Sequence, residues 1–164
     1  MRIEKVVANA SPLIILFKAG LADLLPKLFS EIAVPNGVCD EIIAGGAADS
    51  AAIASPETRW IHRVEINAVA PEILIWNLGL GESEVLSLAL ADESYFAMID
   101  DRAARSCART LGIQAVGTGG ALVLAKRRGL IPSVSIALQQ LLDAGLWLSD
   151  EIMTLLRSQA GEMN

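Results

Sequence analysis

Short apolar runs alternate along this chain with longer segments of helical periodicity. Compact apolar runs occupy Lys5 to Ala8, Glu31 to Val34, Tyr95 to Ile99 and Ile113 to Val116. Such runs are typical of strands buried inside a sheet. Trp60 to Ile66 instead alternates apolar with polar residues, which predicts an edge or half-exposed strand. The pattern therefore predicts five short strands.

The segments between these strands carry helical start and stop residues. Ser11 followed by Pro12 predicts an N-cap and first helical position, and Gly117 to Gly120 is interpreted mainly as a tight turn. Residues 67–80 are predicted to form a loop. Predicted helices follow Ser11 and cover Leu21 to Phe29, Val38 onward with a short continuation over Ala47 to Ala54, Glu82 onward, Arg102 to Leu111, Ala121 to Arg128, Pro132 to Ala144 and Ser149 to Ala160.

Strands that alternate with helices predict an α/β fold of three layers, with a central parallel sheet flanked by helices. At 164 residues the chain is predicted to be a single domain, 1–164, whose C-terminal helices lie at about 132–160.

Composition adds an expectation about assembly. The chain is 53% hydrophobic but 4% aromatic, and its mean hydropathy is +0.48. The core is therefore expected to be aliphatic, and surplus apolar surface favours an oligomer. We expect a homodimer, to which the C-terminal apolar residues contribute: Leu141, Leu142, Leu146, Trp147 and Leu148.

Charge and cysteine usage restrict the compartment and the partners. The first five residues are charged and no apolar run is long enough for a membrane span, so we expect a cytoplasmic protein without membrane contact. Cys39 and Cys107 are isolated and predicted to be reduced and buried. His62 is the only histidine and is predicted to lie exposed on a strand. A chain with one histidine cannot form a His-rich zinc site. A net charge of −6 argues against general polyanion binding but allows a local basic face.

Acidic and amide side chains recur where strands end and helices begin. Asn9 follows the first strand, Glu41 lies in the helix after the second, and Glu82 and Glu84 open a later helix. Asp100 and Asp101 directly follow the strand over Tyr95 to Ile99. Ligands of open α/β sheets bind at the carboxyl ends of the strands, so these oxygens are predicted to converge on Mg²⁺ or Mn²⁺. The alternative is that the acids compensate helix dipoles or act as N-caps.

A basic face lies beside these acids. Arg102, Arg105 and Arg109 are spaced to share one side of a helix, and they could follow a phosphate backbone or form a solvated surface. Thr118 is expected at the same edge of the sheet. The glycine-rich turn around it leaves a third class open, a phosphate-binding α/β enzyme, although the spacing matches no Walker A loop.

Six segments, taken in order and spacing, resemble the successive motifs of PIN-domain proteins, closest to a prokaryotic branch described as predicted nucleic-acid-binding PIN-like proteins. They are Val7 to Ile14, Val34 to Ile42, Gly81 to Glu84, Ile99 to Arg102, Val116 to Gly120 and Lys126 to Pro132. The resemblance implies a metal-dependent ribonuclease, with Mg²⁺ or Mn²⁺ as the metal and RNA as the expected partner; DNA is the alternative target. It also implies frequent dimerisation and, in relatives, the role of toxin beside an antitoxin protein.

Residue by residue, the resemblance implies four acidic positions at Asn9, Glu41, Glu84 and Asp101. Its neighbouring positions fall on Asp100, Glu82, Ser11 and Thr118. The family favours aspartate where this chain has Asn9. That departure leaves a second function class open, a catalytically weakened module that binds nucleic acid or protein.

Overall fold

A parallel sheet forms the centre of the protein. The structure, a computed structural model, describes residues 3–46 and 58–162. Within them five parallel strands are ordered β3-β2-β1-β4-β5. The strands are β1 (Lys5–Ala8), β2 (Glu31–Pro35), β3 (Ile61–Val64), β4 (Tyr95–Met98) and β5 (Ala115–Val116). After β3 the chain returns past β1 to form β4, so the strand order reverses at β1 and β4, the place where such sheets bind ligands.

Helices cover both faces of this sheet, which confirms the predicted three-layer α/β architecture. They are α1 (Ala10–Lys18), α2 (Leu24–Leu28), α3 (Asn36–Gly45), α4 (Pro71–Leu74), α5 (Leu80–Ala91), α6 (Arg102–Leu111), α7 (Thr118–Arg127), α8 (Val134–Asp143) and α9 (Asp150–Gln159). Helix α5 packs on β1, β2 and β4, while α7 packs on α2, α8 and α9. The predicted continuation over Ala47 to Ala54 lies outside the described residues.

The core is aliphatic, as the composition predicts. Leu13, Leu86 and Leu122 are fully buried, and each such side chain contributes about 1.5–3 kcal/mol of transfer free energy. Cys39 and Cys107 are buried and free, and burial raises the pKa of both thiols. Both cysteines are therefore inert core residues. His62 is exposed on β3, an edge strand, as predicted.

A three-residue clasp joins the amino ends of the central strands. Lys5, Glu31 and Tyr95 stand opposite one another in register. Glu31 accepts a hydrogen bond from the Tyr95 hydroxyl and forms an ion pair with Lys5 at 3.4 Å. The Lys5 ammonium lies 4.4 Å from the Tyr95 ring centroid. The hydrogen bond from Tyr95 lowers the pKa of Glu31, which favours the charged form of this carboxyl group in the clasp.

The C-terminal segment is fastened by side chains that bond to backbone. Glu162 accepts hydrogen bonds from the backbone N–H groups of Val134, at 2.5 Å, and Ser135, at 3.1 Å. These donors belong to the first turn of α8, which leaves its N–H groups without helical partners. Arg128, at the end of α7, donates to the carbonyl oxygens of Leu28 and, at 3.2 Å, Ile3. The end of α7 is thereby tied to the beginning of the chain, and Glu162 is tied to the start of α8.

Two predicted helix starts were wrong. Helix α1 begins at Ala10 with Asn9 as its N-cap, so Ser11 and Pro12 lie inside the first turn. Proline is tolerated there because the first four N–H groups of a helix have no intrahelical acceptor. Helix α7 begins at Thr118, so the predicted tight turn is the first turn of a helix.

Two further predictions are corrected by packing. Residues 67–80 contain the short helix α4, whose Ile73 is fully buried in the core. The strand predicted over Tyr95 to Ile99 ends at Met98, and Tyr95 and Phe96 are half-buried, so only the end of β4 is covered on both faces.

Candidate metal centre and nucleic-acid interface

Asn9 is a buried amide at the carboxyl end of the central strand. Its backbone N–H donates to Met98 of β4 at 3.1 Å, which fixes the residue between the two central strands. Only 3% of the residue is exposed. Its Oδ1 atom is buried and has no hydrogen-bond partner in the described part of the chain. A buried polar atom left unpaired costs about 1–3 kcal/mol, so this oxygen is a candidate ligand for a cation.

Glu41 brings a carboxylate to the same place from α3. A Cβ atom built on Gly81 would lie 3.0 Å from Glu41 Oε2 and 3.3 Å from Asn9 Oδ1. Both oxygens therefore adjoin Gly81, in the first turn of α5. Asn9 is buried, so its oxygen is fixed in place, whereas Glu41 is exposed, so its carboxylate can move.

Glu84 is buried one turn further along α5. Only 7% of the residue is exposed, and its Oε2 accepts a hydrogen bond from the Gly37 backbone N–H at 3.3 Å. Gly37 is the second residue of α3, the helix that carries Glu41, so Glu84 holds α5 against α3. Glu82 instead bends back to accept a hydrogen bond from the Gly79 N–H at 3.0 Å. Glu82 thus caps its own helix, which is the alternative that its position in the sequence left open.

Asp100 and Asp101 have separate partners. Asp100 accepts hydrogen bonds from Thr118, from its backbone N–H at 2.8 Å and from its hydroxyl at 2.5 Å. Asp101 is the N-cap of α6 and accepts a hydrogen bond from the Ala104 N–H at 2.9 Å. Asp101 is exposed, so its carboxylate also faces solvent. Thr118 is fully buried, and its hydroxyl serves Asp100 rather than an outside ligand.

The arginine face divides into two parts. Arg102 and Arg109 are exposed on α6. Arg105 is half-buried and donates to the carbonyl oxygen of Ile99 at 3.2 Å, beside Gly117. Ser11 is exposed in the first turn of α1. Two arginines and one serine hydroxyl are therefore accessible to a large ligand.

The comparisons with known proteins give a family. A family model described as a PIN domain matches residues 5–162. The chain belongs to the PIN-domain family. This confirms the resemblance drawn from the motifs, and PIN domains have a nuclease-type fold. No curated protein and no solved structure matches the chain.

PIN domains generally use divalent metals, and the oxygen donors of this PIN domain fit such an ion in part. Carboxylate and amide oxygens suit Mg²⁺ and Mn²⁺. Asn9 and Glu41 supply two of them, one an orphaned buried atom. Across residues 3–46 and 58–162, however, no three His, Cys, Asp or Glu side chains are grouped closely enough to hold a metal ion. Glu84 and Asp100 are engaged by protein donors.

Sequence patterns did not reveal the glycines that lie against the acids, among them Gly37, Gly81 and Gly117. A signal existed, because each of these three glycines lies at the start of a helix, at the edge of the sheet where the acids are predicted.

No helix in the described residues is long and apolar enough to cross a membrane.

Proposed function

We propose that this PIN domain is a Mg²⁺- or Mn²⁺-dependent endoribonuclease. One observation carries the proposal: the unpaired, buried Oδ1 of Asn9 faces the same glycine as the carboxylate of Glu41. Buried polar atoms are nearly always satisfied, so two acceptor oxygens at one spot favour a cation between them.

The proposed ligands are Asn9, Glu41, Glu84 and Asp101, with Asp100 and Glu82 as neighbouring acids. A bound divalent ion would supply activation of water and neutralisation of the scissile phosphate. Glu41 is exposed, so its carboxylate can reach the reacting water and accept a proton. The Gly37 N–H orients Glu84, and Thr118 orients Asp100, so these two carboxylates keep their positions without a ligand.

The proposed RNA surface consists of Arg102 and Arg109, with the hydroxyl of Ser11. Arg102 follows directly after the acids at the carboxyl edge of β4, where a phosphate backbone would approach the site, and Arg109 lies about two turns further along α6. Arg105, held by Ile99, would contribute positive charge near Asp100 from inside the cleft. RNA is the proposed substrate, and DNA is an outcome that the assay distinguishes.

The proposal extends to partners. We expect a homodimer in the cytoplasm and the role of toxin beside an antitoxin protein. The free, buried thiols fit a reducing compartment. Exposed apolar side chains, such as Trp147 at 81% and Ile75 at 83%, fit a protein partner.

A second candidate function is a module that binds nucleic acid or protein without cleaving it. It is favoured by the local use of the acids, since Asp101 caps α6 and Glu82 caps α5. A module of this kind would keep the arginine surface and lose the metal.

The deciding experiment combines titration and cleavage. We expect calorimetry to detect Mn²⁺ binding, and labelled RNA to be cut in Mn²⁺ but not in EDTA. Glu41→Gln should abolish cleavage while keeping the thermal midpoint, because Glu41 is exposed. RNA binding without metal uptake or cleavage would reject the nuclease and support the binding module. Preferential cutting of DNA would reassign the substrate.

A further inference from the structure

Besides Gly79, which meets the Glu82 carboxylate of its own helix, three glycines lie against carboxylates of the proposed site that other elements carry. Gly37, Gly81 and Gly117 each come from a different connection of the sheet and each opens a helix or precedes one. In each case an added Cβ atom would come within 3.0 Å of a carboxylate oxygen. At Gly37 and Gly117 the distance is below 3.0 Å, which real Cβ atoms essentially never show, so one of the two groups would have to move. At Gly81 it is 3.0 Å, which is tighter than nine in ten real Cβ contacts, so the neighbouring side chain would have to give way by a few tenths of an ångström.

Gly37 and Gly117 lie against Glu84 and Asp100, two carboxylates that accept hydrogen bonds from other elements. A Cβ on Gly37 would lie 2.8 Å and 2.9 Å from the two oxygens of Glu84. A Cβ on Gly117 would lie 2.9 Å from Asp100 Oδ1 and 3.0 Å from Arg105 Nη1. The carboxylates thus occupy the volume that a side chain would fill.

Gly81 is the most informative case. Its missing side chain leaves room for Glu41 Oε2 at 3.0 Å and Asn9 Oδ1 at 3.3 Å from the Cβ position, with Val38 also at 3.3 Å. Asn9 is buried and cannot retreat, whereas Glu41 is exposed and can rotate into solvent. A methyl group on Gly81 would therefore separate the two oxygens at little cost to the fold.

From this geometry we infer that Gly81, with Gly37 and Gly117, is a positioning residue of the site. The absence of a side chain sets where the oxygen donors converge, and Gly81 in particular keeps Glu41 beside Asn9. This inference rests on the proposed metal-dependent function, which it deepens by naming the residues that define the cation's cavity.

The chain contains a matched control. Gly45 ends α3, the helix that also carries Glu41, and a Cβ on Gly45 would meet nothing within 4 Å. Its backbone is not in the left-handed region, so Gly45→Ala makes the same chemical change without touching the site.

The experiment measures Mn²⁺ affinity by calorimetry and the metal-free thermal midpoint. Disturbing groups that orient ligands costs about 10–100-fold in affinity. We therefore expect at least a tenfold loss in Gly81→Ala with an almost unchanged midpoint, and no loss in Gly45→Ala. Glu41→Asp withdraws the carboxylate by one methylene, so Gly81→Ala with Glu41→Asp should bind Mn²⁺ more tightly than Gly81→Ala alone. Parental affinity in Gly81→Ala, or the same loss in Gly45→Ala, would overturn the inference.

A metal-free measurement separates this inference from the proposed function. In side-chain NMR spectra, Gly81→Ala should shift the Asn9 amide and Glu41 carboxyl signals, and Gly45→Ala should leave both in place. If the parent protein takes up no Mn²⁺ but these shifts occur, the metal-dependent function fails and the positioning role stands. If the signals do not move, the positioning role is rejected.

Discussion

Asn9 Oδ1 and Glu41 Oε2 face the same glycine, although one residue follows β1 and the other lies in the helix after β2. The parallel sheet explains this meeting, because β1 and β2 are neighbours whose carboxyl ends share one edge. In the proposed function a cation lies between these two acceptors, so a change of charge at either residue should change the Mn²⁺ affinity.

Asn9→Asp should strengthen Mn²⁺ binding by about 10-fold or more, by analogy with the penalty for disturbing a metal's supporting groups. The substitution places a full negative charge beside Glu41 and the ion. In the metal-free protein the same charge repels Glu41, so the thermal midpoint should fall. Calorimetry, a cleavage time course and thermal melts measure the three effects.

Two variants control this prediction. Glu84→Gln in the Asn9→Asp background should abolish the gain, because Glu84 is a proposed ligand. Gln139→Glu adds the same charge at an exposed position of α8 and should leave the Mn²⁺ affinity unchanged. If Asn9→Asp binds Mn²⁺ no better than the parent, Asn9 is not a metal ligand. The site then serves to bind nucleic acid or protein and does not cleave it.

Sequence patterns were sufficient for the architecture. The apolar runs define β1, β2 and β4 closely because strands buried in a parallel sheet must be apolar. Helix starts were less predictable where the N–H groups of the first turn bond to residues that are distant in the sequence. The Thr118 N–H is bonded by Asp100, a residue from another strand end, so no local sequence signal marks the start of α7.

The site was predictable as a set of acids at one edge, but not in its side-chain directions. Glu82 and Asp101 accept hydrogen bonds from nearby backbone N–H groups, and Arg105 donates to the Ile99 carbonyl oxygen. In each case local and distant hydrogen-bond partners compete for the side chain, and the spacing of residues along the chain does not decide between them. The roles of Asn9, Glu41, Glu84 and Asp101 as ligands remain predictions.

Replacing Arg102 and Arg109 with Ala should weaken RNA binding and lower its salt dependence. Each phosphate contact on a single strand contributes about 0.7 to the slope of log affinity against log salt, so the double variant should lose about 1.4. Mn²⁺ affinity should stay unchanged. Lys18→Ala with Lys27→Ala removes the same charge from the exposed last turns of α1 and α2, and should keep the slope. An unaltered slope in the arginine variant assigns that face to solvent.

Glu162→Gln should lower the thermal midpoint at neutral pH. Hydrogen bonds from the Val134 and Ser135 N–H groups hold the pKa of Glu162 at about 2, against an ordinary value of 4.5. A depressed pKa stabilises the folded state above the ordinary value, and this contribution is lost as the pH falls through the folded pKa. The gap between parent and variant should therefore close from pH 4.5 to about 2.

Melting curves across that range make the comparison. Glu151→Gln, at an exposed position in the first turn of α9, should show no such closing gap. A gap that stays constant with pH would mean that the carboxylate charge does not stabilise the α8 terminus.

Trp147→Glu should convert the expected dimer to a monomer in sedimentation at micromolar concentration. Of the apolar residues predicted to form the interface, Leu141 is fully buried in its own core, whereas Trp147 is 81% exposed. A tryptophan can bury about 150–250 Å² in an interface. Ile75→Glu, at another exposed apolar position, serves as the comparison. A monomeric parent would reject the dimer, and dissociation only by Ile75→Glu would move the interface to α4.

Arg128 and β1 both bond to residues that lie far away in the sequence. These bonds can therefore form only late in the synthesis of the chain. Ala8 pairs with Met98, and Arg128 bonds to Ile3 across 125 residues. A ribosome adding about 5–20 residues per second therefore leaves β1 without its second neighbour for roughly 5 to 20 seconds. We expect chains truncated after Glu93 to show no hydrogen-exchange protection at β1. The carboxyl ends of β1 and β4, which Asn9 and Asp100 follow, therefore come together only after more than half of the chain has been made.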